Sequence, residues 1–341
     1  MAAAKRSHLK LLVPVCIILP VLLVLLSLFV GRYELSFSDI LSILMEREKW
    51  ISDPERAIEY SLVWEIRLPR ALLAFVVGGT LSVCGGALQG MFRNPLVDSG
   101  MLGVSAGAGF GACLGILLFP NSVMIYSLAF FFGVFAVLLS YLTGKIYKSA
   151  PTVTLVLGGV VISAIFSALI SFVKFVADPL EKLPTITFWL MGSLTRANFQ
   201  DLTIALIPIT IGIAGIMLIR WQINVLSLGD REARTLGVNT GLCRAIVIAC
   251  TSIATAGAVC VSGTIGWVGL IIPHIVRMLV GNDNRVLLPA CVSIGGCFLS
   301  IVDLVARSIV STEIPLGVLT AIIGGPFFIV ILKRTKGGGS W

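Results

Sequence analysis

Charge is what this chain has least of. Lys, Arg, Asp and Glu together make up 12% of its 341 residues, about half the share of a soluble domain. Histidine occurs only 2 times. No Cys/His cluster and no C-x-x-C pair exists, which excludes metal and dithiol centres of the usual spacings. The 8 cysteines (Cys16, Cys84, Cys113, Cys243, Cys250, Cys260, Cys291 and Cys297) lie in apolar runs or, for Cys243, at the edge of one. They read as small apolar side chains. No G-x-x-x-x-G-K-[ST] loop occurs, so any ATP and Mg must be bound elsewhere and the chain holds no cofactor of its own. Nor does H-E-x-x-H or a facing pair of aspartates sit in an apolar run, which excludes an intramembrane hydrolase. The net charge of +8 is spread over loop positions without interleaved aromatics, so nucleic acid is excluded as a partner.

Long apolar runs are what is present. Ser99–Gly144 covers 46 residues without an ionised side chain, and about 20 suffice to cross a bilayer as helix. Charge-free runs predict spans at 11–31, 71–92, two within 99–144 divided at Phe119-Pro120-Asn121-Ser122, then 149–173, 202–219, a long run at 245–276, 286–302 and 314–332. Lys5, Arg6 and Lys10 at one terminus, and Lys333, Arg334 and Lys336 at the other, both favour the cytoplasm. An even count follows, so 245–281 is read as two spans. The expected fold is an all-α membrane protein: a polytopic bundle of ten transmembrane helices with both termini cytoplasmic, in the cytoplasmic membrane. Segments then assigned to the cytoplasm carry a net +11 and outer segments −3. One transmembrane domain fills 1–341: a first span at 11–31, an outer loop at 32–66, spans two to five in 67–176, span six at 202–220, a cytoplasmic loop at 221–241, and spans seven to ten in 242–334. The run Leu11–Gly31 is too long for a signal peptide and is read as a retained span. The acidic outer loop is expected to lie as amphipathic helix on the membrane surface.

The 35 glycines are ordered. Gly78, Ser82, Gly86 and Gly90 recur every four residues, as do Gly103, Gly107, Gly111 and Gly115. Such ladders let helix backbones touch. Gly159, Ser163, Ser167 and Ser171 form a more polar stripe that suits either helix packing or a water-filled path.

Ion-coupled carriers need ionisable groups deep in the membrane. Asp303 is the one such carboxylate, and Arg307 stands four residues on, close enough to pair with it. His274 is expected at a helix break with Pro273. Arg67 and Arg70 open span two on the outer side, where they either snorkel or meet acidic groups of a partner. In the loop, Gly229-Asp230 starts a short helix with an acid in its first turn, and Gly237 ends it after Arg234. Leu228, Ala233 and Leu236 are expected to give this helix an apolar side that caps the bundle or docks into another protein.

Several segments together are similar to the FecCD family of permeases in ABC importers. They are Arg67-Leu68-Pro69-Arg70, Gly85-Gly86-Ala87-Leu88-Gln89-Gly90, Arg93-Asn94-Pro95-Leu96, Leu102-Gly103-Val104-Ser105-Ala106-Gly107, Leu228-Gly229 with Ala233-Arg234 and Leu236-Gly237-Val238, Gly269-Leu270-Ile271-Ile272-Pro273-His274, and Pro315-Leu316-Gly317-Val318. The resemblance implies a subunit paired with a second permease copy as a homodimer. It also implies two ATP-binding ATPase subunits in trans, an extracytoplasmic substrate-binding protein, and a metal-chelate substrate crossing the lipid membrane. Leu228, Gly229, Arg231, Glu232, Ala233, Arg234, Leu236 and Gly237 would form the ATPase coupling loop. Arg67, Arg70 and Arg307 would dock the binding protein. Asn94, Leu96 and Thr152 would belong to the cytoplasmic gate, and Ser163, Ser167 and Ser171 to the path. A ferric siderophore is the expected cargo, with haem and corrinoids next. The rival class is an ion-driven secondary transporter. One departure stands out: Val97-Asp98-Ser99 lacks the family's proline, which is expected to soften the following turn.

Overall fold

The computed structural model describes residues 2–31, 33, 35–46, 56–144, 151–310 and 312–335. Every regular element among them is helical. In chain order these are α1 (Ala2–Phe29), α2 (Phe37–Met45), α3 (Ala57–Phe92, with a π-turn at Leu62–Arg67), α4 (Val104–Leu118), α5 (Ser122–Gly144), α6 (Pro151–Val176), α7 (Lys182–Leu190), α8 (Phe199–Leu218), α9 (Arg220–Leu228), α10 (Asp230–Thr235), α11 (Thr240–Ser262), α12 (Val268–Val280), α13 (Asn284–Ser308) and α14 (Leu316–Thr335). Among the described residues, 6 helices are long and apolar enough to span a membrane: α3, α5, α6, α8, α11 and α13. Shorter apolar segments lie in α1, α4, α12 and α14. Of the outer loop 32–66, residues 33, 35–46 and 56–66 are described, and they form α2 with its flanks and the first turns of α3. Ile40 and Ile43 are buried while Phe37 and Met45 are exposed, so α2 is amphipathic. Glu34, Glu48, Asp53 and Glu55 lie outside the described residues.

The architecture is organised around α3, whose apolar window is 83% buried. It packs against α8, α9, α11, α12 and α13, while α4 is held between α5 and α6. Glycine makes these approaches possible. At Gly78 a Cβ would press on the Gly295 carbonyl of α13, at Gly79 it would stand 2.7 Å from the Val292 carbonyl, and at Gly90 2.9 Å from Ile223 of α9. In α4, Gly107 and Gly111 meet the α5 backbone at Phe132 and Leu128, and Gly115 meets Ile125. Gly103 is no rung of that ladder. Its φ of 92° makes it the left-handed residue that starts α4.

The stretch 245–281 is divided at residues 263–267, not at His274. Gly263 and Trp267 are both left-handed there, and α12 then runs on through Pro273. Proline has no N–H, so the Gly269 carbonyl one turn earlier loses its helical donor. Gln89 of α3 supplies the replacement: its Nε2 donates to the Gly269 oxygen at 3.3 Å and to the Leu270 oxygen at 3.2 Å. That side chain explains why a proline here does not break the helix. Gln89→Leu keeps the volume and leaves the carbonyl dry, and we expect it to cost about 1–3 kcal/mol. Thermal unfolding in mild detergent reads this, and an unchanged melting temperature would contradict it.

Candidate functional site

The two ends of the bundle carry the polar groups. At the end where α3 starts and α13 finishes, Arg67, Arg70 and Arg307 come together, as their spacing on α3 and α13 allows. All three are buried. Arg70 Nη2 donates to Asp303 Oδ1 at 2.8 Å, its Nε reaches both oxygens of that carboxylate at 3.0 and 3.2 Å, and its Nη1 donates to Glu313 Oε1 at 2.8 Å. Thr195 Oγ1 donates to the other Glu313 oxygen at 2.8 Å. Arg307 Nη2 donates to the Ser27 carbonyl at 2.8 Å, and its Nε stands 3.6 Å from Asp303. Arg67 donates to the carbonyls of Leu28 and Tyr33, each at 2.6 Å. The arginines therefore tie α1, α3 and α13 together and hold the loops before α8 and α14. The Asp303–Arg307 pair expected from their spacing is present, but the closer partner of Asp303 is Arg70, distant in sequence. These guanidinium groups direct donors to groups inside the chain.

At the opposite end, the loop of residues 219–239 is a helical hairpin. Its first arm, α9, is a helix that the sequence reading missed. Polar residues interrupt its apolar pattern, so composition resembles a loop, but Ile223, Val225 and Leu226 are buried. Ile223 sits over Gly90 of α3. Asn224 Oδ1 accepts from the Asn284 N–H at 2.7 Å, and its Nδ2 donates to Asp283 at 2.7 Å. Asp283 also takes Arg285 Nη2 at 2.8 Å. The Arg285 hydrogen bonds hold the Asp283 carboxyl well below the usual carboxylate range, which keeps the turn before α13 charged and capped at neutral pH.

The second arm, α10, begins after Gly229 (φ 132°) and ends before Gly237 (φ 79°). Ala233 is its buried residue and faces the bundle, while Asp230 pairs with Arg244 at 2.6 Å. Leu228 and Leu236 do not share the inward side of Ala233. They are 60% and 56% exposed, alongside exposed Arg231, Glu232 and Arg234. Next to the hairpin, α3 ends at Arg93, whose φ of 52° is left-handed. That conformation costs a non-glycine residue roughly 1–2 kcal/mol. Asn94 follows, exposed, and its Oδ1 accepts from the Leu96 N–H at 3.0 Å. Leu96 is 36% exposed. The turn after it is held without the missing proline, because Asp98 accepts from the Met101 N–H at 3.1 Å and caps Ser99–Leu102.

Along α6 the small residues turn gradually outward, as a spacing of four in a helix of 3.6 residues per turn requires. Gly159 is buried against the Met101 carbonyl, Ser163 is half-buried near Gly103, and Ser167 and Ser171 are exposed. Ser171 Oγ donates to the Ser167 carbonyl at 3.0 Å. The Thr152 side chain lies outside the described residues. No cluster of His, Cys, Asp and Glu suited to a metal occurs among the described residues.

A solved structure of an inward-facing conformation of a metal-chelate type ABC transporter matches this fold with a TM-score of 0.84 and 37% identity, over 95% of this chain and 99% of that one. Its likeness, the apolar helical bundle and the exposed hairpin define the permease subunit of an ABC importer, a multi-pass membrane protein. The FecCD transport family profile matches residues 18–334, and the chain belongs to that family. Its relatives include a molybdate import system permease of Haemophilus influenzae, 38% identical over 98% of each chain. A probable iron chelatin transport permease of Helicobacter pylori is 38% identical over 98% of this chain and 99% of its own. A hemin transport permease of Yersinia pestis is 36% identical over 97% and 98%.

Proposed function

We propose that this permease works as a homodimer to import an iron chelate, a ferric siderophore or haem, across the cytoplasmic membrane of a prokaryote. The four shorter apolar helices complete ten crossings, and the hairpin end faces the cytoplasm. A binding protein delivers the cargo at the arginine end, and two ATPase subunits drive transport from the hairpin end. The observation that carries this reading is α10. It is a short helix anchored by one buried alanine and one ion pair, carrying three exposed charged side chains and flanked by exposed Leu228 and Leu236, all offered to a partner. Such a helix suits the groove of an ATPase. A docking role for Arg70 requires Glu313 to give way to a carboxylate of the binding protein. The iron assignment draws on the iron chelatin and hemin relatives. A cobalamin import permease of Halobacterium salinarum, 40% identical over 80% of this chain, supports a corrinoid as the second reading. An ion-driven mechanism has little support, because Asp303 is already held by Arg70.

Two measurements test this. Purification from the native membrane in mild detergent, with mass spectrometry of the complex, should recover a P-loop ATPase at one copy per permease. Leu236→Glu changes an exposed residue, so the permease should still fold, yet it should lose the ATPase and at least 10-fold of transport-coupled hydrolysis, about 1.4 kcal/mol of docking free energy. Unchanged stoichiometry would remove the hairpin from the contact. Uptake of 55Fe-siderophore, haem, cobalamin and molybdate by reconstituted vesicles then decides the cargo.

A further inference from the structure

Among the described residues, the left-handed non-glycine positions are Arg93 and Trp267. A helix terminator of this shape ordinarily takes glycine or asparagine, so an arginine at position 93 calls for a reason in its side chain. That side chain is exposed and makes no hydrogen bond or ion pair among the described residues. It reaches the hairpin. The point that a Cβ of Gly229 would occupy lies 3.6 Å from Arg93 Nη1, and Glu232 Oε2 is closer still to the same point. Opposite charges thus face each other across Gly229 without closing into a pair.

The surroundings give this gap a mechanical meaning. The arm α9 is fixed: Ile223 is seated on Gly90 and Asn224 is bonded to Asp283 and Asn284. Among the described residues, the arm α10 is anchored by buried Ala233 and the Asp230–Arg244 pair. Gly229, at φ 132° and ψ 161°, is the hinge between them, and Glu232 folds back over it. On the other side of the gap, Arg93 is bonded directly to Asn94, the first residue of the exposed Asn94–Leu96 turn. A push on α10 therefore changes the Arg93–Glu232 separation.

We propose that Arg93 is the positioning residue that transmits movement of α10 to the Asn94–Leu96 turn, through charge attraction to Glu232. When α10 swings about Gly229, the carboxylate draws the guanidinium, and the backbone at Arg93 carries the turn with it. This rests on the reading of α10 as the helix that an ATPase moves.

The test needs no knowledge of the cargo. The permease is reconstituted with its ATPase carrying Leu96→Cys, and the rate of labelling by a membrane-impermeant maleimide is compared with and without ATP plus vanadate. With Arg93 intact, the nucleotide should change that rate at least 5-fold. Arg93→Gly suits the left-handed backbone and removes the side chain with its charge. It should not lower the melting temperature and should keep the ATPase stoichiometry, but reduce the nucleotide effect to less than 2-fold. Arg93→Glu should do the same, and Arg93→Glu combined with Glu232→Arg should restore at least half of the response. A merely structural Arg93 would not be rescued by the exchange. A full nucleotide response in Arg93→Gly, or no recovery in the exchanged pair, overturns the proposal. If nucleotide changes nothing even with Arg93 in place, the ATP-driven reading of α10 falls first and takes the proposal with it.

Discussion

Replacing Gly85 by alanine should leave almost no folded permease in the membrane. The added methyl would stand on the carbonyl, carbonyl carbon and Cα of Gly269 in α12. None of these can rotate away as a side chain would. Gly269 is held on both sides, since Gln89 bonds its carbonyl and a Cβ on Gly269 itself would lie 2.8 Å from the Leu81 oxygen. The helices would have to separate, and α3 is the element on which α1, α8, α9, α11, α12 and α13 all pack. Ordinary overpacking costs about 1–3 kcal/mol because side chains yield. Here backbone meets backbone, and the loss should exceed about 4 kcal/mol, the range reserved for disrupted cores. Gly241→Ala, in the first turn of α11, is the matched control, because its added methyl would meet only Asn239 Oδ1 at 3.6 Å, an ordinary contact. Helix propensity should make it neutral or stabilising by up to about 1 kcal/mol. Monodisperse yield in detergent and melting temperature compare the two. Equal behaviour would show that the α3–α12 contact is not tight.

The same contact shows what the amino-acid order could and could not reveal about the fold. Charge-free runs mark out apolar helices because a bilayer and a buried core both exclude charge, and the ladder Gly78, Ser82, Gly86, Gly90 marks one close-packed face of α3. Gly85 lies off that ladder. Its need for glycine comes from α12, far along the chain, and no local period encodes it. The division of 245–281 has the same character. Pro273 is the strongest local break signal in that stretch, yet the helix passes through it, because Gln89 satisfies the carbonyl that proline abandons. The break falls instead at Gly263 to Trp267, where the backbone turns left-handed. A tryptophan at that position carries no such signal. Its reason is tertiary: the indole packs at the position of Gly324, and Phe328 meets it edge-on at 6.2 Å.

The candidate site divides in a similar way. Gly229-Asp230 and Gly237 delimit α10 by local rules of helix starts and stops, and they could be read directly. The companion helix α9 could not, since its Asn224 bonds partners far along the chain, Asp283 and Asn284. Apolarity also misled at Ala233. Spacing grouped it with Leu228 and Leu236, but the hairpin turns the alanine inward and leaves the leucines out. For Arg67, Arg70 and Arg307, charge type and position in the chain pointed to one place. Whether such groups face outward depends on the carboxylates that reach them. Glu313 comes from the loop before α14, which no spacing argument connects to Arg70.

Asp303→Ala should be the second most damaging substitution, by a different mechanism. The carboxylate is 1% exposed, and the arginines beside it, Arg70 and Arg307, are 7% and 8% exposed in their side chains. Deleting Asp303 leaves both cations in place and removes their shared counter-charge. Arg70 keeps Glu313, while Arg307 keeps Ser27 alone. Removing one partner of a buried pair costs about 3–5 kcal/mol, much more than the pair is worth against an apolar substitute. Arg70→Met combined with Asp303→Ala should therefore lose less stability than the sum of the two single losses. Melting temperatures of the three variants in detergent measure this, and additive losses would show that the groups are not coupled. The same variants separate architecture from transport chemistry. A structural Asp303 loses uptake only in proportion to the folded permease remaining. Should Asp303→Asn fold at full yield and still abolish uptake that an inactive ATPase leaves untouched, the carboxylate would be carrying an ion, and ATP would not be the source of energy.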